Sequence, residues 1–280
     1  MKKTIFAGFG KLGYLSLMQL IQSGLNVEFV LTHKDHSLES VDAYCIKNQI
    51  NYSYLDLRKD NKLLEELCSY KPEFLISVNY RYIIPGDLLK NSQYPLNLHG
   101  SLLPRYRGRT PHVWAIINGE SKSGITCHKM EESVDTGDVY HQIEVNISED
   151  DTGFTLLQKY EKLYPICLKT ALQKISQSFE PISQNNLSAT YFGKRTPDMG
   201  YIDFTKDTKS LINFIRAQAK PYPGAYCFLS DGRKLIVHKA IIIENFDAPD
   251  SSIGNVFNVG NDYIVKTKDG YLSFIETEIG

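Results

Sequence analysis

The chain lacks the features that would place it in several broad classes. No apolar run approaches the ~18 residues of a membrane-spanning helix, and the N-terminus opens as a strand, not as a signal peptide. A soluble, unexported, cytoplasmic protein with no membrane partner is therefore expected. Net charge is nearly absent, with 31 Lys and Arg against 32 Asp and Glu. No long basic run is present to grip phosphates, so no nucleic-acid partner is expected. Cysteine is sparse: the five residues, at 45, 68, 127, 167 and 227, form no Cys-x-x-Cys pair. An odd, scattered set argues against a disulfide framework and for reduced thiols. His112, His128, His141 and His238 show neither metal-ligand spacing nor a helical Glu-x-x-His pattern. They read as structural or surface residues, and no metal is expected. Repeats and low-complexity segments are missing too. What remains is an ordinary globular composition, 42% hydrophobic and 22% charged over 280 residues, enough for one large domain or two modest ones.

The first half alternates short apolar runs with helical periodicity. Runs at 4–7, 27–32, 51–55, 74–78 and 94–99 have strand character. Helical spacing marks 12–22, where Leu12, Leu15 and Met18 share a face and Gly24 fits the stop. Further helices are expected at 41–48, 62–69 and 86–90. This rhythm predicts an α/β, Rossmann-like domain with a parallel sheet covered on both faces, and ligands beyond the carboxyl ends of the strands. Thr110-Pro111 reads as a helix start, with Thr as N-cap and Pro in the first turn. Strands at 124–130 and 139–147 flank a turn, and a long helix follows from 151 to about 177. Residues 181–200 are rich in Ser, Asn, Gln, Pro and Gly and read as a connector. After a helix at 209–219, five short runs between 225 and 275 predict a small β domain, open-barrel-like in character. The domain boundaries are placed at 1–188 and 205–280, with 189–204 between them.

Three features could carry chemistry. The first is Asn97-Leu98-His99, at the end of an apolar run, with Asp135 in the downstream turn Val134-Asp135-Thr136-Gly137-Asp138. Two residues apart on a strand, Asn97 and His99 point the same way. An amide donor, an imidazole and a carboxylate suit acyl transfer through an oxyanion; taken alone, the three could equally be a structural strand end and an ordinary turn. The second is Gly8-Phe9-Gly10-Lys11-Leu12-Gly13, between a strand and a helix, with Asp35 after the next strand. That matches a dinucleotide fingerprint. The third is Arg105, Arg107 and Arg109, crowded on one loop, either a solvated surface or an anion-binding cluster.

The stretch Asn97-Leu98-His99-Gly100-Ser101-Leu102-Leu103-Pro104-Arg105-Tyr106-Arg107-Gly108, with its Asp-x-Gly turn, resembles the signature of the folate-dependent formyltransferases. The likeness extends to Arg195-Thr196-Pro197-Asp198 and Pro221-Tyr222-Pro223-Gly224, and is strongest to the nucleotide-sugar N-formyltransferases of the UDP-4-amino-4-deoxy-L-arabinose type. The resemblance implies transfer of formyl from 10-formyltetrahydrofolate to the amine of a nucleotide-linked amino sugar, for an O-antigen-type surface polysaccharide. Asn97 and His99 would stabilise the oxyanion, His99 would help protonate the departing N10, and Asp135 would raise the His99 pKa toward working pH. It also implies that Tyr82, Ile83, Ile84, Arg109 and the run Glu131, Glu132, Ser133, Val134, Asp135 hold the folate. Ser101, Arg105, Arg107 and Tyr222 are the candidates for the acceptor. A formyltransferase block leaves little reason for NAD, and no NAD is expected. A homodimer is allowed for. The alternatives are a methionyl-tRNA formyltransferase and, in another class, a non-catalytic folate- or nucleotide-sugar-binding module. The short, charge-balanced segment at 32–40 speaks against a tRNA-gripping insertion.

Overall fold

The computed structural model describes residues 3–244, 246, 252–260 and 262–280. In chain order the elements are β1 (Lys3–Gly8), α1 (Gly10–Gln22), β2 (Asn26–Leu31), α2 (Val41–Asn48), β3 (Tyr52–Ser53), α3 (Asn61–Ser69), β4 (Phe74–Val78), α4 (Gly86–Lys90), β5 (Tyr94–His99) and β6 (Arg107–Gly108). Then come α5 (Pro111–Ile117), β7 (Lys122–Lys129), β8 (Val139–Asn146), α6 (Gly153–Ser176), β9 (Tyr191–Phe192), α7 (Thr208–Ala217), β10 (Ala225–Phe228), β11 (Lys234–Ile243), β12 (Val256–Val259), β13 (Asp262–Lys266) and β14 (Tyr271–Ile279). They fall into two compact units. One comprises the chain up to Gly108, Gly124–Val145 and Lys159–Tyr191; the other comprises Arg109–Ser123, Asn146–Gln158 and the chain from Phe192 onward.

The first unit is built on a seven-stranded sheet of order β3-β2-β1-β4-β5-β7-β8. The strands from β3 to β5 are parallel, and β7 runs antiparallel to β5. β4 is buried at every position, as a strand covered on both faces must be. One layer of the core gathers Ile5, Ala7, Phe29, Leu31 and Leu75 from the sheet against Leu67, Leu88 and Leu89 from α3 and α4. Gly24 ends α1 as expected: at φ +78°, its N–H donates to Ile21 O and that of Leu25 to Leu20 O. The expected strand at 51–55 shortens to the edge pair Tyr52–Ser53; Tyr54 and Leu55 fall outside the ladder, and the Tyr54 hydroxyl donates instead to Asp42 Oδ2 at 3.1 Å. The early glycines have a packing role. A Cβ on Gly8 would lie 2.3 Å from the Phe6 ring of its own strand and 3.3 Å from Gly13 Cα, and one on Gly13 would lie 3.0 Å from the Gly8 carbonyl carbon. Gly8 and Gly13 therefore let β1 and α1 approach closely.

The second unit carries a five-stranded antiparallel sheet of order β10-β11-β14-β13-β12, with β10 and β12 at its edges. Leu211 and Ile215 of α7 pack on Leu235, Val237, Val265, Leu272 and Phe274 of the sheet. A register shift around residues 237–240 in the β11–β14 ladder bends the strands, as bulges do. The helix start at Thr110-Pro111 is where the sequence places it, but the cap chemistry differs. Thr110 lies at φ 51°, ψ 45° and its side chain makes no capping bond. A capping side chain reaches the first N–H groups from an extended backbone; a left-handed one aims it elsewhere, and Thr110 Oγ1 is buried without a partner. No helix among the described residues is long and apolar enough to cross a membrane.

Candidate active site

β5 delivers the first two groups. Asn97 and His99 alternate with Leu98 and so emerge on one side of the sheet. β7 lies beside it with Asn97 opposite His128 and His99 opposite Thr126. Cross-strand partners share a face, so His128 joins the pair. The turn between β7 and β8 brings Asp135, at φ 59°, a left-handed conformation that Asp adopts more readily than most residues. Two contacts shape that turn. A Cβ on Gly137 would lie 2.1 Å from Lys129 O, so only glycine fits there. Gln184 Nε2 donates to Asp135 O at 2.9 Å and to Gly137 O at 2.7 Å.

The four side chains form one contiguous set. His99 Nδ1 lies 3.5 Å from Asp135 Oδ2, and His128 Nε2 lies 3.5 Å from Asp135 Oδ1. Asn97 Nδ2 is 3.1 Å from His128 Nε2. The Gly108 N–H donates to Asp135 Oδ2 at 2.8 Å. His99 Nε2 is 2.7 Å from Tyr106 O. A carbonyl only accepts, so Nε2 carries the proton in the neutral ring and Nδ1 is the open nitrogen. The loop that presents these carbonyls and N–H groups is itself pinned: Ser101 Oγ donates to Arg105 O at 2.7 Å, and Thr126 Oγ1 to Ser101 O at 2.6 Å.

His99 and Asp135 are both 7% exposed, and burial dominates their electrostatics. Burial pushes the His99 pKa down; Asp135 and the Tyr106 carbonyl pull it up, and the net direction is downward. This corrects the sequence expectation. The carboxylate does act in the expected direction, but removing the imidazolium from water costs more than one neighbouring charge returns. His99 is therefore held neutral near pH 7. For Asp135, burial alone would raise the pKa; the His99 and His128 imidazoles and the Gly108 N–H outweigh it and hold the carboxyl at about 2. The site thus offers an anionic carboxylate, a neutral imidazole with one open nitrogen, and an amide donor. That is a proton carrier beside an oxyanion donor, the equipment of acyl transfer.

Other predicted residues are placed differently. Tyr82 is half-buried, its ring 4.5 Å from that of His33, while Ile83 is half exposed. Ile84 is 8% exposed and packs into the core, so only its backbone is available to a ligand. Glu131, Glu132, Ser133 and Val134 form an exposed run beside the Asp135 turn, with Glu132 3.1 Å from Lys90. Ser101 is buried and its hydroxyl is spent on Arg105 O. Arg107 is 1% exposed. Its guanidinium donates to Gln184 Oε1, Asn186 Oδ1 and the Tyr191 hydroxyl. Neither Ser101 nor Arg107 faces outward to meet an anion: the Ser101 hydroxyl is spent within the loop, and the Arg107 guanidinium on side chains of residues 184–191. Arg105 is exposed. In the second unit Arg109 is exposed, and the Tyr222 hydroxyl lies 3.0 Å from His112 Nε2. Sequence reasoning missed His128 and Gln184. Neither has a local signal: His128 reaches the site by strand pairing across 31 residues, and Gln184 sits in what read as a polar connector. Among the described residues no group of three His, Cys, Asp or Glu side chains is arranged to hold a metal ion.

The chain is similar to several known proteins. The family model described as formyl transferase matches residues 2–172, and that of the formyl transferase C-terminal domain matches residues 194–280. The bifunctional polymyxin resistance protein ArnA of Wigglesworthia glossinidia brevipalpis is 34% identical over 287 residues, covering 99% of this chain. The chain spans only 43% of the length of that relative. Among solved structures, an N-formyltransferase from Helicobacter canadensis, in complex with folinic acid and dTDP-3-aminofucose, superposes with a TM-score of 0.76 at 22% identity, covering 99% of this chain and all of the other. WlaRD, a sugar 3N-formyl transferase crystallised in the presence of dTDP and 5-N-formyl-THF, gives a TM-score of 0.75 at 21% identity, covering 100% and 98% of the two chains.

Proposed function

The chain belongs to the formyl transferase family, and from that premise we propose that it transfers the formyl group of 10-formyltetrahydrofolate to the amine of a nucleotide-linked amino sugar. The observation that carries this reading is the convergence of Asn97, His99 and Asp135 with the His99 tautomer fixed by Tyr106 O. Asn97 donates an N–H to the oxygen that gains charge as the amine attacks the formyl carbon. His99, neutral through burial, takes the proton of the attacking amine at Nδ1 and returns it to the departing folate nitrogen. Asp135 stabilises the imidazolium between those two steps. The backbone of residues 82–84, the exposed run 131–134 and Arg109 are the candidates to hold the folate. Arg105 and Tyr222 remain candidates for the acceptor; Ser101 and Arg107 are withdrawn.

An amino-sugar acceptor is supported by the names of the similar structures, a sugar 3N-formyl transferase with dTDP and an N-formyltransferase with dTDP-3-aminofucose, and by a net charge of −1. A binder of charged tRNA needs several phosphate contacts. We take residues 1–188 as the catalytic domain and 205–280 as the C-terminal β domain, joined through 189–204, with residues 109–123 and 146–158 of the former grouped in the compact unit of the latter. The matches at 2–172 and 194–280 support that division. The setting is a cytoplasmic step of surface-polysaccharide synthesis; five cysteines, none paired in the structure, fit a reducing compartment. The test assays 10-formyltetrahydrofolate against dTDP-, UDP- and GDP-linked amino sugars and methionyl-tRNA in parallel. Formylation of at least one amino sugar, with methionyl-tRNA inert, is expected. Efficient formylation of methionyl-tRNA alone would overturn the acceptor assignment.

A further inference from the structure

We propose that His128 is a positioning residue that fixes which end of the Asn97 amide faces inward, and so aims the N–H that Asn97 presents to substrate. The inference rests on the reading of Asn97 as an oxyanion donor. His128 is 2% exposed and directly opposite Asn97 across the β5–β7 ladder. Its Nδ1 lies 2.7 Å from Lys129 O. A main-chain carbonyl only accepts, so Nδ1 carries the proton of the neutral imidazole and Nε2 is left bare. The Asn97 amide approaches that bare nitrogen at 3.1 Å. Only the NH2 end makes a bond there; Oδ1 turned inward would set lone pair against lone pair. Asp135 Oδ1 lies 3.5 Å from the same nitrogen; a carboxylate only accepts, so it pairs with Nε2 only when the ring is protonated, and against the neutral ring Asn97 is the donor within hydrogen-bond distance.

The amide is thereby locked. One Nδ2–H is spent on His128, and the second is held at a fixed angle in the amide plane, where Asn97 is only partly buried. An asparagine amide has nearly isosteric ends, and its orientation is decided by its partners. Without His128, the carbonyl end could turn inward, and any N–H that did face substrate would be unanchored. The chain of control runs from a backbone carbonyl (Lys129 O) to an imidazole tautomer (His128) to an amide orientation (Asn97). Preorganised donors give oxyanion stabilisation its value.

Two measurements test this. In the wild-type protein, long-range 15N–1H correlation spectra of the histidine rings should show His128 protonated at Nδ1 and bare at Nε2; a ring protonated at Nε2 overturns the proposal. In kinetics, His128→Gln keeps an acceptor near the place of Nε2, whereas His128→Leu removes it. A full oxyanion donor is worth roughly 100- to 1,000-fold in kcat, and an unanchored one should forfeit part of that. His128→Leu is expected to lose about tenfold or more in kcat with KM for folate and acceptor within about twofold, and His128→Gln to recover most of the loss. Leu at wild-type kcat, or Gln no better than Leu, overturns the proposal. If wild-type protein formylates no amine, the functional reading fails, and the tautomer measurement alone decides the inference about His128.

Discussion

Arg107→Met separates two roles that a sequence assigns equally well to an arginine beside an active site. The guanidinium is buried. Its Nε and Nη2 both donate to Gln184 Oε1, at 3.3 and 2.7 Å, and Nη2 also reaches Asn186 Oδ1 at 2.6 Å. Methionine fills much of the same volume without a donor. Asn186 and Tyr191 are exposed and recover water, so their loss is small. Gln184 is half-buried, and stranding its acceptor costs about 1–3 kcal/mol. With the lost charge-assisted bonds to the exposed partners, the total is about 3 kcal/mol. For a protein of this size that lowers Tm by roughly 6–12 °C, at about 2–4 °C per kcal/mol. Gln184 also holds the carbonyls of Asp135 and Gly137, so a loosened Gln184 misplaces the carboxylate and kcat should fall, by about tenfold or more given how steeply rate depends on placement. Calorimetry and steady-state kinetics on the same preparation report both. A Tm unchanged within about 2 °C, together with an acceptor KM raised tenfold, would refute the reasoning and return Arg107 to an anion-binding role.

Other expected outcomes follow from the same geometry. His99→Ala should lower kcat by about 100-fold or more with the fold retained, as loss of a general acid–base group does; near-normal turnover would remove His99 from the mechanism. Asp135→Asn removes the group that pulls the His99 pKa upward against burial. The acid limb of the pH–rate profile, where the base becomes protonated, should therefore move to lower pH while the plateau falls; a profile of unchanged shape and height would make Asp135 a turn residue only. Titration calorimetry with NAD(H) and NADP(H) should give no micromolar binding, because Gly8 and Gly13 serve the close approach of β1 and α1; heat of binding in that range would revive the dinucleotide reading.

The parts of this molecule that were legible in the sequence are those whose cause is local. The strand at Tyr94–His99 and the helix at Val41–Asn48 declare themselves through apolar spacing, and Asn97 and His99 share a face because side chains alternate along any strand. Asp135 entered through the likeness of its Asp-x-Gly turn to the family signature; by local pattern alone it read equally as an ordinary turn residue. His128 was illegible because its role is set by which residue lies opposite on another strand, and no spacing along the chain encodes that register. The downward His99 pKa was missed for a similar reason: the sequence names the neighbouring carboxylate but not the burial that outweighs it. At Thr110 the residue types of a capped helix start are present, and a left-handed backbone leaves the cap unmade.

The two compact units are interleaved along the chain, and this bears on how the protein is made. Residues 109–123 and 146–158 belong with the unit that is completed only by the C-terminal sheet. At the usual ribosomal pace of about 5–20 residues per second, roughly 10–35 s separate synthesis of residue 109 from that of residue 280. During that interval α5, with Val113, Ala115 and Ile116 on the side it will bury, has emerged without the sheet of its unit. A stop codon or protease cut between residues 188 and 205 would leave those segments stranded for good, so a nascent or truncated chain should engage chaperones until β14 is released.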